Sequence, residues 1–281
     1  MTGPTPDGFY DLTSEADNFQ ITPGLLNGLP QGLRGLDSND TVVGSSEADI
    51  VNGNQGNDSL TGSTGDDFLR GGRDIDVVIG DEGNDLLNGN KGNDYVVGGI
   101  GNDTVRGGQD QDILLGEAGN DILIGDFGVD GLAGGSEADL FVLRTDAIDP
   151  TGGDFLLDFQ QAQGDIIGLT GGLTEANLVL QEISVALSEV INSFPVEAIT
   201  ASLPPEIAAS LANTQLTPEF IASGFAQMTG VILDPDADGQ VSGTSIIIAA
   251  TGQELGFAIN TTPTDVAGSF APVSDAQLAV G

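Results

Sequence analysis

From Gly35 to Val142 the chain divides into twelve nonapeptides with no insertion or deletion. A period that short and that unbroken leaves a stacked-repeat architecture as the natural outcome. The fullest units are GNQGNDSLT (53–61), GDEGNDLLN (80–88), GNKGNDYVV (89–97) and GGIGNDTVR (98–106). Position 1 is glycine in all twelve. Position 6 is aspartate in all twelve: Asp40, Asp49, Asp58, Asp67, Asp76, Asp85, Asp94, Asp103, Asp112, Asp121, Asp130 and Asp139. Position 8 is always a sizeable apolar residue, from Val42 and Val51 through Leu114 and Leu123 to Phe141.

Each unit reads as a six-residue turn rich in Gly, Asn and Asp, followed by a three-residue strand centred on position 8. One strand side chain points in and two point out. Two units complete a coil of eighteen residues, so twelve units make six coils. At roughly 4.8 Å per strand the stack is about 29 Å long. Each repeat aspartate then lies opposite the one two units away, and like charges stack at strand spacing. The repeat region carries 22 acidic and 4 basic residues, a net of −18, within a chain of net charge −37. Such a column repels itself unless a cation enters it.

Composition removes other chemistries. With no His and no Cys there is no His-based acid–base pair, Ser-His-Asp triad, thiolate nucleophile, disulfide or His/Cys zinc site. Neither H-E-x-x-H nor G-x-S-x-G occurs, and the 34 residues before the roll are too few for a catalytic domain. A polyanion would be repelled, so nucleic acid is not an expected partner. No apolar run reaches the length of a membrane span.

The repeat strongly resembles the RTX (hemolysin-type) calcium-binding repeat, G-G-x-G-x-D-x-U-x, of secreted bacterial proteins. The resemblance implies an all-β-dominated fold, a right-handed parallel β-roll over 35–142. It implies Ca2+ held between successive turns by the twelve aspartates and by backbone carbonyls, with Gly53, Gly80, Gly89, Gly98, Gly107 and Gly116 as candidates. Five gaps on each side give about ten ions, whose +20 would balance the repeat region. It further implies an extracellular or cell-surface location, reached by type I secretion through an uncleaved C-terminal signal. The opening MTGPTPDGFY, with neither a basic nor an apolar signal region, agrees with that expectation.

The flanks are less regular. Residues 1–34 read as an N-terminal cap, with LTSEADNFQ (12–20) as a degenerate unit and 21–34 as a loop insertion. The tetrapeptide SEAD recurs at 14–17, 46–49 and 136–139. Position 4 departs from glycine at Ser38, Glu47, Asp74, Asp110 and Glu137, where weaker binding or altered geometry is expected. Residues 143–281 read as a β-rich region. In it, GGDFLLDFQQAQGDIIGL (152–169) continues the sheet and offers Asp158 and Asp165 as further candidate ligands. A helical insertion is expected over about 175–230, from helix-start signals at Leu203–Glu206 and Thr217–Glu219. In DPDADG, Asp234, Asp236 and Asp238 begin an EF-hand-like loop joining strands at 231–233 and 245–250, but Ser245 stands where the bidentate Glu belongs. An extra calcium site and a plain acidic hairpin turn are both open there.

Positions 7 and 9 report on partners. On the odd repeats Val77, Ile79, Tyr95, Val97, Ile113 and Leu115 form a contiguous apolar patch of a few hundred Å². Either the C-terminal region packs over it or another chain does. The even repeats give a column of Ile50, Phe68, Leu86, Thr104, Ile122 and Leu140 beside a ladder of Asn52, Arg70, Asn88 and Arg106. Two outward faces and one C-terminal region leave a face for self-association. The expected function is a secreted, non-enzymatic calcium-binding protein that assembles into a surface layer, filament or matrix. A free adhesion or polysaccharide-binding module is the alternative, with the Arg70/Arg106 ladder as its grip, and an accessory part of a secreted enzyme a third reading.

Overall fold

The computed structural model describes residues 3–146, 153–192, 232–233, 238–274 and 278. Two eleven-stranded sheets run the length of the molecule, and alternate units feed alternate sheets. Sheet A takes the even repeats, with strands such as Phe68–Arg73, Leu86–Lys91 and Thr104–Gln109. Sheet B takes the odd ones, with Val77–Glu82, Tyr95–Ile100 and Ile113–Ala118. Neighbours are parallel and offset by one coil, as in Leu87↔Leu69 and Val96↔Val78. The chain is an all-β solenoid of about six turns.

The strands are six residues long rather than the expected three. Pairing runs through positions 7 to 9, skips the glycine at position 1 and resumes at positions 2 and 3, as in Asn88↔Arg70 followed by Asn90↔Gly72. The turn proper is therefore positions 4 to 6. The inward column is continuous: Val42, Val51, Leu60, Leu69, Val78, Leu87, Val96, Val105, Leu114, Leu123, Leu132 and Phe141 are all buried between the sheets. Each such side chain contributes about 1.5–3 kcal/mol by leaving water.

Both ends extend the column. Leu12 and Leu33 add to it before the repeats, and Asn18–Gln20 pairs with Thr41–Val43, setting Phe19 against Val42. After the repeats, Asp154–Leu156 and Ile166–Leu169 join sheets B and A in parallel, followed by Glu254–Ile259 and Phe270–Pro272.

The odd-repeat patch is covered by the chain's own C-terminal region. Val77, Tyr95, Val97, Ile113 and Leu115 are buried and Ile79 is half-buried, all within one cluster with Ile183, Val185, Leu187, Val190, Ile191, Leu233, Val241, Phe257 and Ile259. These six residues are thus an intrachain contact, because an apolar hairpin and a short helix from the C-terminal region lie over them. Part of that cover departs from the helical expectation. Leu178–Ala186 is a strand, antiparallel to Gln240–Ile248 across a nine-residue register. Its β-branched Val179, Ile183 and Val185 suit a half-buried edge strand. A helix follows at Leu187–Asn192, and the start signals near 203 and 217 lie outside the described residues. The strand Gln240–Ile248 begins five residues before the expected 245–250, and residues 231 and 234–237 of the expected hairpin lie outside the described residues.

Sheet A differs in its charge. Arg34, Arg70, Arg73, Lys91 and Arg106 all sit on its strands, and Arg144 directly follows one, so every basic side chain of the chain is on this side. Arg34 pairs with Asp11, and Arg106 and Arg144 both hold Asp126. Arg70 lies over the Phe68 ring, 4.3 Å from its centroid.

Candidate metal centre

The turn folds each repeat aspartate back into the roll. Its Oδ1 accepts the backbone N–H of the aspartate one coil earlier, building two ladders. Toward sheet B the steps are Asp40→Asp58, Asp58→Asp76, Asp76→Asp94, Asp94→Asp112 and Asp112→Asp130, at 2.7–2.8 Å. Toward sheet A they are Asp49→Asp67, Asp67→Asp85, Asp85→Asp103, Asp103→Asp121 and Asp121→Asp139, at 2.7–2.9 Å.

One oxygen is left over on almost every rung. The Oδ2 atoms of Asp40, Asp58, Asp67, Asp76, Asp85, Asp94, Asp103, Asp112, Asp121, Asp130 and Asp139 are buried and accept no hydrogen bond. An unsatisfied buried polar atom costs about 1–3 kcal/mol, and more if charged. Eleven of them together rival or exceed the roughly 5–15 kcal/mol that holds a whole domain folded. The column must therefore be neutralised, by protons or by a cation.

The proton affinities of the column point the same way. Burial, offset by the ladder N–H and reinforced by nearby carboxylates, pushes Asp58, Asp67, Asp94, Asp103 and Asp139 up to about 7. Asp40 and Asp121 rise to about 6 and Asp76 to about 9. Asp85, Asp112 and Asp130 are raised as well, with burial again the largest cause. A hard divalent cation bound at Oδ2 would keep these groups ionised at neutral pH.

The glycine at position 1 makes room for the contact. A Cβ on Gly53 would lie 2.6 Å from the Gly71 carbonyl oxygen and closer still to Asp58 Oδ2. The same holds at Gly35, Gly62, Gly80, Gly98 and Gly116, which places the carbonyls of Gly53, Gly80, Gly98 and Gly116 beside Asp40, Asp67, Asp85 and Asp103 respectively, and puts Gly134 beside Asp121. Gly89 and Gly107 form the corresponding corners over Asp94 and Asp112. Among the described residues no three carboxylates converge on one point. The donor set at each corner is instead one carboxylate oxygen with backbone carbonyls, a chemistry that suits calcium's all-oxygen, adaptable coordination.

The expected irregular turns are mostly regular. Ser38, Asp74, Asp110 and Glu137 adopt the same left-handed backbone as glycine at position 4, with φ of 74–80°. Glu47 does not, and Asp49 is the one repeat aspartate whose Oδ2 is engaged, by the N–H of Ser45 at 2.6 Å. A second ladder was not anticipated from the sequence. The position-5 Asn side chains accept N–H groups from the next coil, as in Asn102→Asn84 and Asn120→Asn102. The recurrent Asn before Asp was its signal.

Beyond the repeats the candidates divide. Asp165 continues the ladder, its Oδ1 accepting the Asp139 N–H at 3.1 Å while Oδ2 accepts from Gln160. Asp154, not singled out by sequence, does the same for Asp130 at 3.2 Å. Its Asp-x-apolar spacing to Leu156 matches the repeat and could have revealed it. Asp158 has both oxygens engaged by the N–H groups of Gly134 and Gly135, which satisfies it without a metal. Asp238 accepts the Gln240 N–H in a turn; Asp234 and Asp236 lie outside the described residues.

A two-sheet roll whose turns each present a buried carboxylate oxygen beside a carbonyl is the architecture of a calcium-binding parallel β-roll. The family model for the RTX calcium-binding nonapeptide repeat matches this chain three times in succession, at 34–69, 70–105 and 106–141. Residues 34–141 of the chain thus form a parallel β-roll of RTX calcium-binding repeats. No curated protein matches it significantly.

Proposed function

We propose that the chain is a secreted, non-enzymatic protein whose roll folds on meeting extracellular calcium and which then self-associates into an extracellular structure. The observation that carries the first half is the column of eleven buried carboxylate oxygens without a hydrogen-bond partner. Bound Ca2+ supplies the positive charge that lets those oxygens be buried while ionised. Binding free energy is then folding free energy. A chain that is unfolded at low calcium and folded at millimolar calcium suits export in an extended state. Up to about ten ions fit the gaps between coils.

Self-association is assigned to sheet A. The outer face of sheet B is occupied by the chain's own C-terminal cover. Ile124 and Val142, at the far end of sheet A, pack with Val273 and Leu278. Toward the N-terminal end, Ile50, Phe68 and Leu86 are only half-buried, beside Arg70. An apolar column flanked by cations can meet a second strongly acidic copy of the chain. Circular dichroism in calcium and in EGTA tests the folding half; a native β-signal in EGTA at neutral pH contradicts it. Light scattering of the calcium-loaded protein tests assembly, and a monomer at high concentration contradicts it.

A further inference from the structure

Three turns of this chain contain SEAD, and they are not built alike. At 44–49 the Oδ2 of Asp49 accepts the Ser45 N–H at 2.6 Å, and the Ser45 hydroxyl accepts the Glu47 N–H at 3.1 Å. At 12–17 the pattern repeats: Asp17 Oδ2 accepts the Thr13 N–H at 2.8 Å and its hydroxyl at 2.7 Å, and that hydroxyl accepts the Glu15 N–H at 3.3 Å. At 134–139 the same tetrapeptide follows Gly135. There Gly135 and Glu137 take φ of 100° and 74°, and Asp139 Oδ2 is left unsatisfied like those of the interior turns.

The difference lies one residue before SEAD, at position 2 of the nonapeptide. Eleven of the twelve repeats hold position 2 in the left-handed region, and Ser45 is the exception. Thr13, its counterpart in the degenerate unit, is also outside that region. With ordinary backbone at this position, the residue's own N–H turns onto the carboxylate and takes the place a cation would fill. The hydroxyl fastens the turn from the other side, an ST-type motif.

The two closed turns occupy equivalent places. Asp17 is the first aspartate on the sheet B ladder, donating its N–H to Asp40 Oδ1, and Asp49 is the first on the sheet A ladder, donating to Asp67 Oδ1. A cation held between coils needs a repeat turn on both sides; the turn at 12–17 has none before it, and the turn at 44–49 is preceded by the loop of 21–31, which is not a repeat unit. A carboxylate satisfied by its own turn avoids an incomplete site there.

We propose that the turns at 12–17 and 44–49 are calcium-independent end caps, one per ladder, and that Ser or Thr at position 2 closes a turn against calcium when SEAD follows it; Ser63, followed by Thr64-Gly65-Asp66, keeps the left-handed backbone and leaves Asp67 Oδ2 open. This rests on the calcium reading of the interior turns and sharpens it: the metal columns begin at Asp40 and Asp67, and Asp49 is not a ligand.

Calcium stoichiometry of the full chain, measured by equilibrium dialysis, tests this with four variants. Asp17→Asn and Asp49→Asn are expected to bind as many ions as wild type, and Asp67→Asn fewer. Gly135→Ser makes residues 134–139 identical in sequence to 44–49 and is expected to bind one ion fewer while Asp139 is intact. Loss of an ion in Asp49→Asn or Asp17→Asn overturns the caps. A folded Gly135→Ser protein with the full count overturns the role of position 2. If Gly135→Ser does not fold, the Asp49→Asn and Asp67→Asn counts decide alone. Wild-type protein that binds no calcium overturns the metal reading itself and the caps with it.

Discussion

Residues 35–142 and the cover formed by 178–191 and 240–259 are both largely β-structure, yet different forces hold them. The cover is an apolar contact: Val77, Tyr95, Val97, Ile113 and Leu115 on one side meet Leu187, Val190, Ile191 and Phe257 on the other, with Phe155 edge-on to Phe257 at 5.9 Å. Nothing in that contact depends on solution conditions beyond the hydrophobic effect. The roll has an equally continuous apolar column, but a carboxylate is buried beside it at every turn. Its stability is conditional, and the cover, which needs sheet B as its floor, inherits the condition.

Calcium removal breaks this comparison most severely. In EGTA at neutral pH the roll is expected to lose its β-signal and the cover to be released with it, seen as loss of circular dichroism and rapid proteolysis in both regions. Acid should partly substitute for calcium. The folded-state carboxyls titrate near 6 to 9 against about 4 in an unfolded chain. The metal-free folded state therefore binds more protons than the unfolded one between these values. Its stability is greatest below about pH 4 and is lost as pH rises through 6–9. A calcium-free sample should accordingly show more β-structure at pH 4 than at pH 7, whereas calcium affinity should fall as pH drops below 7.

Smaller effects separate the two regions. Leu114→Ala, in the inward column, and Ile113→Ala, its neighbour under the cover, should each cost about 2–5 kcal/mol, measured by denaturant unfolding in saturating calcium. Only Ile113→Ala is expected to raise hydrogen exchange in 178–191 at a denaturant concentration where the roll remains protected. Arg70→Ala, on the open face of sheet A, should cost about 1 kcal/mol or less through loss of its contact with Phe68. It should leave calcium stoichiometry unchanged and weaken association.

Much of the roll was legible because its period is exact in both spacing and chemistry. Position 8 dictates the inward column and position 6 the carboxylate column, and both lie where the spacing put them. Strand length was not legible, since Gly and Asn at positions 1 to 3 look like turn residues; coil-to-coil pairing recruits positions 2 and 3 into the sheet. The closed turn at Asp49 was hidden for a related reason. Its identity as position 6 is the same as in the other eleven; Glu47 marked its turn as one of five irregular ones, but only the backbone at Ser45 and Glu47 sets it apart from the other four. The strand at 178–186 was missed because its pairing partner, 240–248, lies more than fifty residues away. The patch at Val77–Leu115 was found, but whether a chain's own tail or another chain would cover it depends on tertiary contacts that residue spacing does not encode.

The central claim is that at neutral pH the buried aspartate column folds only when a cation occupies it. Residue-resolved hydrogen exchange at the amides of Asp58, Asp76, Asp94, Asp85 and Asp103, each the donor to the next carboxylate in its ladder, reads it directly. Strong protection in millimolar calcium and free exchange in EGTA at pH 7 are the predicted result. Equal protection in both would mean that the column folds while its carboxylates have no cation, and would contradict the account.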